Sequence, residues 1–287
     1  MTDALRGLVE TLERDGSLDE PERLRQRIEA LDRLEAYFPD GLDADGAAAG
    51  GDALRRRAVA IHARLAAINR RLYDSLRRDI RLGRGRERLL PWSPAPGEDP
   101  QAGEEGYDYL DEWLGGILPF DTPDAVAAPA AEMVFYQPTP ARHIFDLIRR
   151  TALAADDVLI DLGSGLGHVP LLVALCTDAR CIGVELEAAY VECARRCAEA
   201  LNLPRVAFVR QDARTADFSA GTVFYLYTPF TGSILRAVLD ALQREAARRA
   251  IRVCTFGPCT PVVAQERWLE AAEPPAAGRV AIFHSRG

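Results

Sequence analysis

An apolar run at residues 158–162 holds an acid, Asp161, next to its end and leads into three glycines, Gly163, Gly165 and Gly167, with Ser164 between the first two. The run predicts a strand, and the glycines predict a turn into a helix where backbone without Cβ atoms comes close to a ligand. Such turns serve several nucleotides, so the spacing alone decides little. Dinucleotide enzymes space their glycines G-x-G-x-x-G, so that a helix N-terminus meets a pyrophosphate. Here the spacing is G-x-G-x-G behind a carboxylate. Asp161 would repel a pyrophosphate, but it suits a cofactor carrying an ammonium group and a sulfonium. Glu185 ends the next apolar run, 24 residues after Asp161, where a carboxylate can accept both ribose hydroxyls. Asp212, followed by Ala213, ends the third run, where it can accept from an adenine amino group. Each acid alone could equally be a helix cap. Three at successive strand ends point to a ligand outside the carboxyl edge of a parallel sheet.

A second group follows the fourth run: Tyr227, Thr228, Pro229 and Phe230. Transfer from a sulfonium is an in-line displacement, so the protein must mainly hold an acceptor aligned and desolvated. An amine acceptor must also lose its proton, and an oxygen or carbon acceptor needs a firmer base. These four residues could wall an acceptor, with the Tyr227 hydroxyl or a backbone carbonyl orienting the nucleophile and Tyr136 closing the other side. An aromatic pair there also favours a cationic amine. Equally, one of Tyr225 and Tyr227 could lie in the core. His143 reads as a helix-surface residue.

The elements that must position these residues fall into two halves. From Val134 onward, short β-branched runs at 158–162, 181–186, 205–210, 222–227 and 251–256 alternate with helical stretches at 167–176, 188–201 and 231–248. That alternation predicts an α/β, Rossmann-like sheet covered by helices. Residues 268–272 and 279–285 read as a final antiparallel pair. Residues 1–90 read as an N-terminal helical domain, 91–133 as a linker or lid with a short helix at 107–118, and 134–287 as the cofactor-binding domain. In the first half, Leu5, Leu8, Val9 and Leu12 keep one helical face. A second helix starts near Pro21, with Asp19 as its cap and Glu22 three positions on. Leu54, Ala58, Ile61, Leu65, Ile68, Leu72, Leu76 and Ile80 make a long packing seam, within a bundle or across a homodimer. Residues 54–90 hold twelve arginines against three acids, either a surface for an acidic partner or a solvated face paired to acids elsewhere.

The 287 residues contain no lysine, which removes every lysine-based mechanism and suggests a GC-rich, bacterial genome. A net charge of −8 does not favour nucleic acid or acidic membranes. Apolar runs are strand-length and residues 1–15 lack an apolar signal core, so neither a membrane span nor a leader is expected and the location read is cytoplasmic. The six cysteines lack CxxC spacing. Cys193 and Cys197, one helical turn apart, have no second pair at zinc spacing, so reduced, buried thiols and no metal are expected.

These residues resemble the class I S-adenosylmethionine-dependent methyltransferases, and the core is most similar to the non-SET histone-lysine methyltransferases. Those share a DLGSG-x-G loop, here 161–167, a strand ending in G-V-E, here 183–185, and a Tyr-x-x-Thr segment upstream, here Tyr136 to Thr139. The resemblance covers about 150 residues, from Val134 to the C-terminus. It implies a seven-stranded, mostly parallel sheet with its last strand antiparallel. It also implies S-adenosyl-L-methionine as cofactor and S-adenosyl-L-homocysteine as product. By it, residues 136–139 fold over the methionine end and His168 stands near the methionine or ribose. The cofactor set is then Tyr136, Thr139, Asp161, Gly163, Ser164, Gly165, Gly167, His168, Glu185, Asp212, Ala213 and Tyr227. The lysine enzymes carry asparagines at the end of strand four, and enzymes acting on planar amino groups carry an Asn/Asp-Pro-Pro-Tyr/Phe motif there. Here residues 224–230 read FYLYTPF, keeping the aromatic frame with Tyr227 in the polar position. The acceptor therefore stays open between an amine and a hydroxyl, on a small molecule or a protein side chain. A non-catalytic S-adenosylmethionine-binding module with an Arg-rich partner helix is the alternative. A nicotinamide oxidoreductase is disfavoured by the glycine spacing and Asp161.

Overall fold

The computed structural model describes residues 2–39, 41, 53–95, 106–123 and 132–286. Most of the expected connection at 39–51 and most of the stretch at 91–106 lie outside the described residues. By its contacts the chain divides into two compact units, Met1–Arg78 with Tyr107–Ile117, and Asp79–Gly106 with Leu118–Gly287.

The first unit holds helices α1 (Thr2–Arg14), α2 (Leu24–Glu35) and most of α3 (Ala53–Arg81). Val9, Leu34, Ala58 and Leu65 are fully buried in its core, which is the amphipathic spacing at work. Before α2, Pro21–Arg23 forms a 3₁₀ turn preceded by extended Glu20, the conformation a following proline imposes. Asp19 therefore does not cap α2, and its carboxylate lies 3.5 Å from Arg64 instead. The turn is organised around Arg27, which is fully buried. Its guanidinium donates to the carbonyls of Leu18 (3.0 Å), Glu20 and Pro21 (3.2 Å) and to Asn69 Oδ1 (2.7 Å). Arg57 pairs with Glu13 at 2.6 Å and Arg77 with Asp74 at 3.2 Å. In the second unit Arg88 pairs with Asp79 at 2.9 Å and Arg86 with Asp178 at 3.2 Å. Much of the arginine excess is thus met by acids of this chain.

The second unit begins with α4 (Gly85–Leu89), while α5 (Tyr109–Ile117) belongs to the first. After α6 (Ala141–Thr151) come β1 (Val158–Leu162), α7 (His168–Cys176), β2 (Arg180–Glu185), α8 (Ala188–Ala200), β3 (Val206–Arg210), β4 (Val223–Tyr227), α9 (Gly232–Ala246) and β5 (Arg252–Phe256). Then follow α10 (Thr260–Val263), β6 (Leu269–Ala271) and β7 (Ala281–Ser285). The seven strands form one sheet in the order β3-β2-β1-β4-β5-β7-β6. β1 to β5 pair in parallel, and β7 runs antiparallel between β5 and β6. Every residue of β1 is buried, as a central parallel strand covered on both faces requires. Val158, Ile160 and Leu162 join Phe224 and Leu226 in the core formed with α9. At the opposite strand ends, Asp157 accepts from Arg252 (2.7 Å) and Thr222 (2.7 Å), fixing β1, β4 and β5 against one another. Strand order reverses between β1 and β4, so the connections part at the carboxyl edge there and leave a crevice. All six cysteines are free and buried. No helix among the described residues is long and apolar enough to cross a membrane.

Candidate functional site

A cavity of about 1110 Å³ opens at the carboxyl ends of β1 to β4. Of the glycine turn, Gly163 lines it, whereas Ser164, Gly165 and Gly167 are not among the lining residues. The Gly163 and Ser164 amides donate to Val184 O at 2.8 and 3.1 Å, which ties the turn to β2. Gly163 and Gly165 hold φ of +78° and +52°, and both have neighbours that exclude a Cβ. At Gly163 it would lie 2.2 Å from Pro229 Cβ, and at Gly165 2.0 Å from Tyr136 Cε2. The glycines thus let the two walls of the cavity, 229–230 and Tyr136, close onto the loop. Gly167 turns the chain into α7 and backs onto Phe208.

Asp161 is buried, with Gly183 and Tyr225 beside it in the sheet register. Among the described residues no donor bonds its carboxyl, and burial, helped by Glu185, pushes its pKa well above the usual carboxylate range. The Ser164 hydroxyl is likewise buried without a partner. Glu185 differs. Its Oε1 accepts from the Leu186 and Glu187 amides (2.6 and 2.8 Å), and its Oε2 accepts from the Gly165 amide (2.9 Å). Oε2 keeps capacity for a further donor. Asp212 caps the turn Ala213–Thr215 and accepts from both the backbone and the guanidinium of Arg214, which holds its carboxyl below the usual range. Asp212, Ala213, Glu185 and Gly163 all line the cavity.

Tyr136 also lines it, its hydroxyl sharing a 3.0 Å hydrogen bond with His168 Nδ1 and its ring lying 4.9 Å from that of Tyr190. His168 packs against Phe120 at 4.8 Å, and burial lowers its pKa to about 4, so it is neutral at pH 7. Thr139 is buried, with its Oγ1 3.1 Å from Tyr225 Oη. Tyr225 is the core tyrosine of the pair, whereas Tyr227 is half-buried and lines the cavity. The Tyr227 ring packs on Phe256 at 4.8 Å, and Phe256 on His143 at 4.2 Å. His143 is therefore half-buried in an aromatic stack rather than on the helix surface. Thr228 takes φ +40°, donates from Oγ1 to Phe256 O (3.2 Å) and accepts there from the Cys259 amide (3.0 Å). Such left-handed backbone in a β-branched residue is costly and clusters at functional sites. Phe230 belongs to both the core and the cavity wall.

The cavity residues that sequence reasoning misses include Glu132, Leu186, Tyr190 and Arg214. Glu132 accepts from Ser233 Oγ (2.6 Å) and from the Ser233 and Ile234 amides at the start of α9 (3.1 and 3.3 Å). With the bond from the Val134 amide to Pro229 O (3.2 Å), it straps residues 132–134 along residues 229–234. Tyr190 carries a readable signal, an aromatic in the first turn of the helix after an acid-terminated strand. Glu132 carries none, since its partner lies 101 residues away.

A model of the family described as "Histone methylation protein DOT1" matches residues 131–221. No curated protein matches the chain. Similar solved structures include an RNA methyltransferase from Salinibacter ruber, in complex with S-adenosyl-L-homocysteine, at 24% identity and TM-score 0.41, covering 52% of this chain and 92% of that one. TrmN from Thermus thermophilus has 18% identity and TM-score 0.39, with 50% of this chain and 48% of that one covered. Precorrin-6y C5,15-methyltransferase from Geobacter metallireducens has 17% identity and TM-score 0.39, with 55% and 92% covered. The match over 131–221 takes in the strap, the glycine turn and the first three strands, and the sheet order is that of a Rossmann-like fold. The core of this chain is a class I S-adenosylmethionine-dependent methyltransferase fold, similar to the non-SET histone-lysine type.

Proposed function

We propose that the chain binds S-adenosyl-L-methionine and transfers its methyl group to an amine of a small molecule or a protein side chain, with a hydroxyl as the less favoured acceptor. The observation that carries this reading is the Asp161 carboxyl, buried beside a glycine turn and without a donor among the described residues. A buried carboxyl in that state costs stability unless a cation meets it, and the ammonium group of the cofactor's methionine end is such a cation. Glu185 Oε2 has room for a ribose hydroxyl, and Tyr136 and His168 would close over the methionine end. When bound, the cofactor supplies a methyl group on a sulfonium, with a neutral thioether as leaving group. The cavity, at about 1110 Å³, exceeds the roughly 300–1,000 Å³ of ordinary ligand sites, which leaves room for an acceptor beside the cofactor. Tyr227, Pro229 and Phe230 would form its wall, with Thr228 fixing the backbone behind Tyr227.

The preference for an amine follows from the bases available. The lining carboxylates Glu132, Glu185, Glu187 and Asp212 each already accept hydrogen bonds, and His168 Nδ1 is taken up with Tyr136. A hydroxyl acceptor would want a firm base that this wall does not offer, whereas an amine can release its proton to water. Titration calorimetry with S-adenosyl-L-methionine, S-adenosyl-L-homocysteine and NAD tests the cofactor; binding of NAD alone would overturn it. Transfer of labelled methyl into cell lysate fractionated into protein, RNA and metabolites tests the acceptor. Label in protein or metabolites is expected. Label in RNA alone would refute the acceptor class, and label nowhere would leave a cofactor-binding module.

A further inference from the structure

We propose that Arg214 gates the base end of the cofactor cavity, holding Asp212 closed until a base that offers a hydrogen-bond donor displaces it, and that it thereby sets base specificity. The inference rests on the cofactor reading above. Asp212 Oδ1 accepts from the Arg214 amide (2.9 Å) and Nε (3.0 Å), while Oδ2 accepts from Nε (3.0 Å) and Nη2 (2.6 Å). The one Nε–H is shared between the two oxygens, so three N–H groups of Arg214 occupy most of the roughly four acceptor sites of the Asp212 carboxylate. The carboxylate expected to read an adenine amino group is thereby largely engaged while Arg214 stays in place.

The closure is local and reversible. Asp212 and Arg214 stand at the N-cap and second position of one 3₁₀ turn, and their side chains are 30% and 51% exposed respectively, so the pair is weak. A receiver for the displaced guanidinium is at hand. Glu132 also lines the cavity, and it and Arg214 each favour the other's charged form. The pairing also changes what a base edge meets. Asp212 alone only accepts, and so selects an amino group. Arg214 beside it can donate, and so tolerates an oxo group at the same position.

Calorimetry tests this with two probes, S-adenosyl-L-homocysteine and S-inosyl-L-homocysteine, which carries an oxo group in place of the adenine amino group. In Arg214→Met and in Arg214→Gln the adenosyl compound should bind about two- to fivefold tighter, the worth of releasing an exposed ion pair. The inosyl compound should bind no tighter or more weakly, so discrimination widens. Asp212→Asn, whose amide both donates and accepts, should bring the ratio of the two affinities toward one. Both arginine variants are checked for an unchanged thermal midpoint, since Arg214 is half exposed. Folded variants that bind the adenosyl compound no more tightly, with an unaltered ratio, overturn the gate. Wild-type protein that binds neither S-adenosyl-L-methionine nor S-adenosyl-L-homocysteine overturns instead the cofactor reading on which the gate stands.

Discussion

Titration from pH 7 to pH 4 reaches the imidazole of His168, which shares a hydrogen bond with the cavity-lining Tyr136 at 3.0 Å and packs on Phe120. Burial brings its pKa from 6.5 down to about 4. Between those values the unfolded chain takes up a proton that the folded chain refuses. The stability tied to neutral His168 is therefore complete above about pH 6.5 and is lost as the pH falls toward 4. At about 1.4 kcal/mol per pH unit, the loss amounts to about 3 kcal/mol, and this is a ceiling because the ring keeps some exposed surface. A loss of that size is a large part of an ordinary folding stability.

Urea denaturation of wild type and His168→Gln at pH 7, 6, 5 and 4 isolates this contribution. Glutamine keeps a hydrogen-bonding partner for Tyr136 but does not titrate. The comparison is needed because Asp161 works in the opposite sense. Its folded pKa is raised, so the stability it contributes is present at low pH and disappears as the pH climbs through that value. The difference between the two proteins cancels Asp161 and every other common group. Wild type should lose up to about 3 kcal/mol relative to the variant between pH 7 and pH 4. Curves that stay parallel within about 0.5 kcal/mol would show that His168 titrates alike in the folded and unfolded chains, and the argument from its burial would fail.

Three substitutions probe the rest of the site. Gly165→Ala places a Cβ 2.0 Å from Tyr136 Cε2 at a φ of +52°, a conformation that costs a side chain about 1–3 kcal/mol; S-adenosyl-L-homocysteine affinity should fall at least about tenfold in a protein with wild-type circular dichroism. Retention within twofold would mean Tyr136 does not cover the ligand. Asp161→Asn should raise the thermal midpoint of the ligand-free protein at pH 7, because a carboxyl whose pKa rises on folding weighs against the fold once the pH is above its unfolded value, and it should abolish cofactor binding. A lowered midpoint would contradict the account of Asp161 as a carboxyl awaiting a cation. Thr228→Val removes the acceptor of the buried Cys259 amide and the donor to Phe256 O, so denaturation should register a loss of about 1–3 kcal/mol; no loss would mean the β4 and β5 ends hold together without it.

Glycine spacing and strand-end acids are legible because their meaning is local: a turn at positive φ excludes side chains whatever surrounds it, and a carboxyl at a strand end lies at the sheet's edge whatever the neighbours. Partner choice is not local in that way. Tyr225 and Tyr227, two apart on β4, share a face, so periodicity cannot separate them. Depth does: Tyr225 lies beside Asp161 between two covered faces and meets Thr139, whereas Tyr227 stands at the strand's last position, where the sheet opens. The Asp19 cap fails for the same reason. A capping pattern assumes that nothing else claims the turn, yet the carbonyls of Leu18, Glu20 and Pro21 wrap the guanidinium of Arg27, from the following helix. Asp212 is the sharpest case. Its position is readable as that of a base-reading acid, and its partner is only two residues away, yet spacing alone does not say whether Arg214 turns outward or folds back. A residue's place on the ligand edge can thus be read from the chain, while its readiness to meet the ligand depends on which nearby donors reach it first.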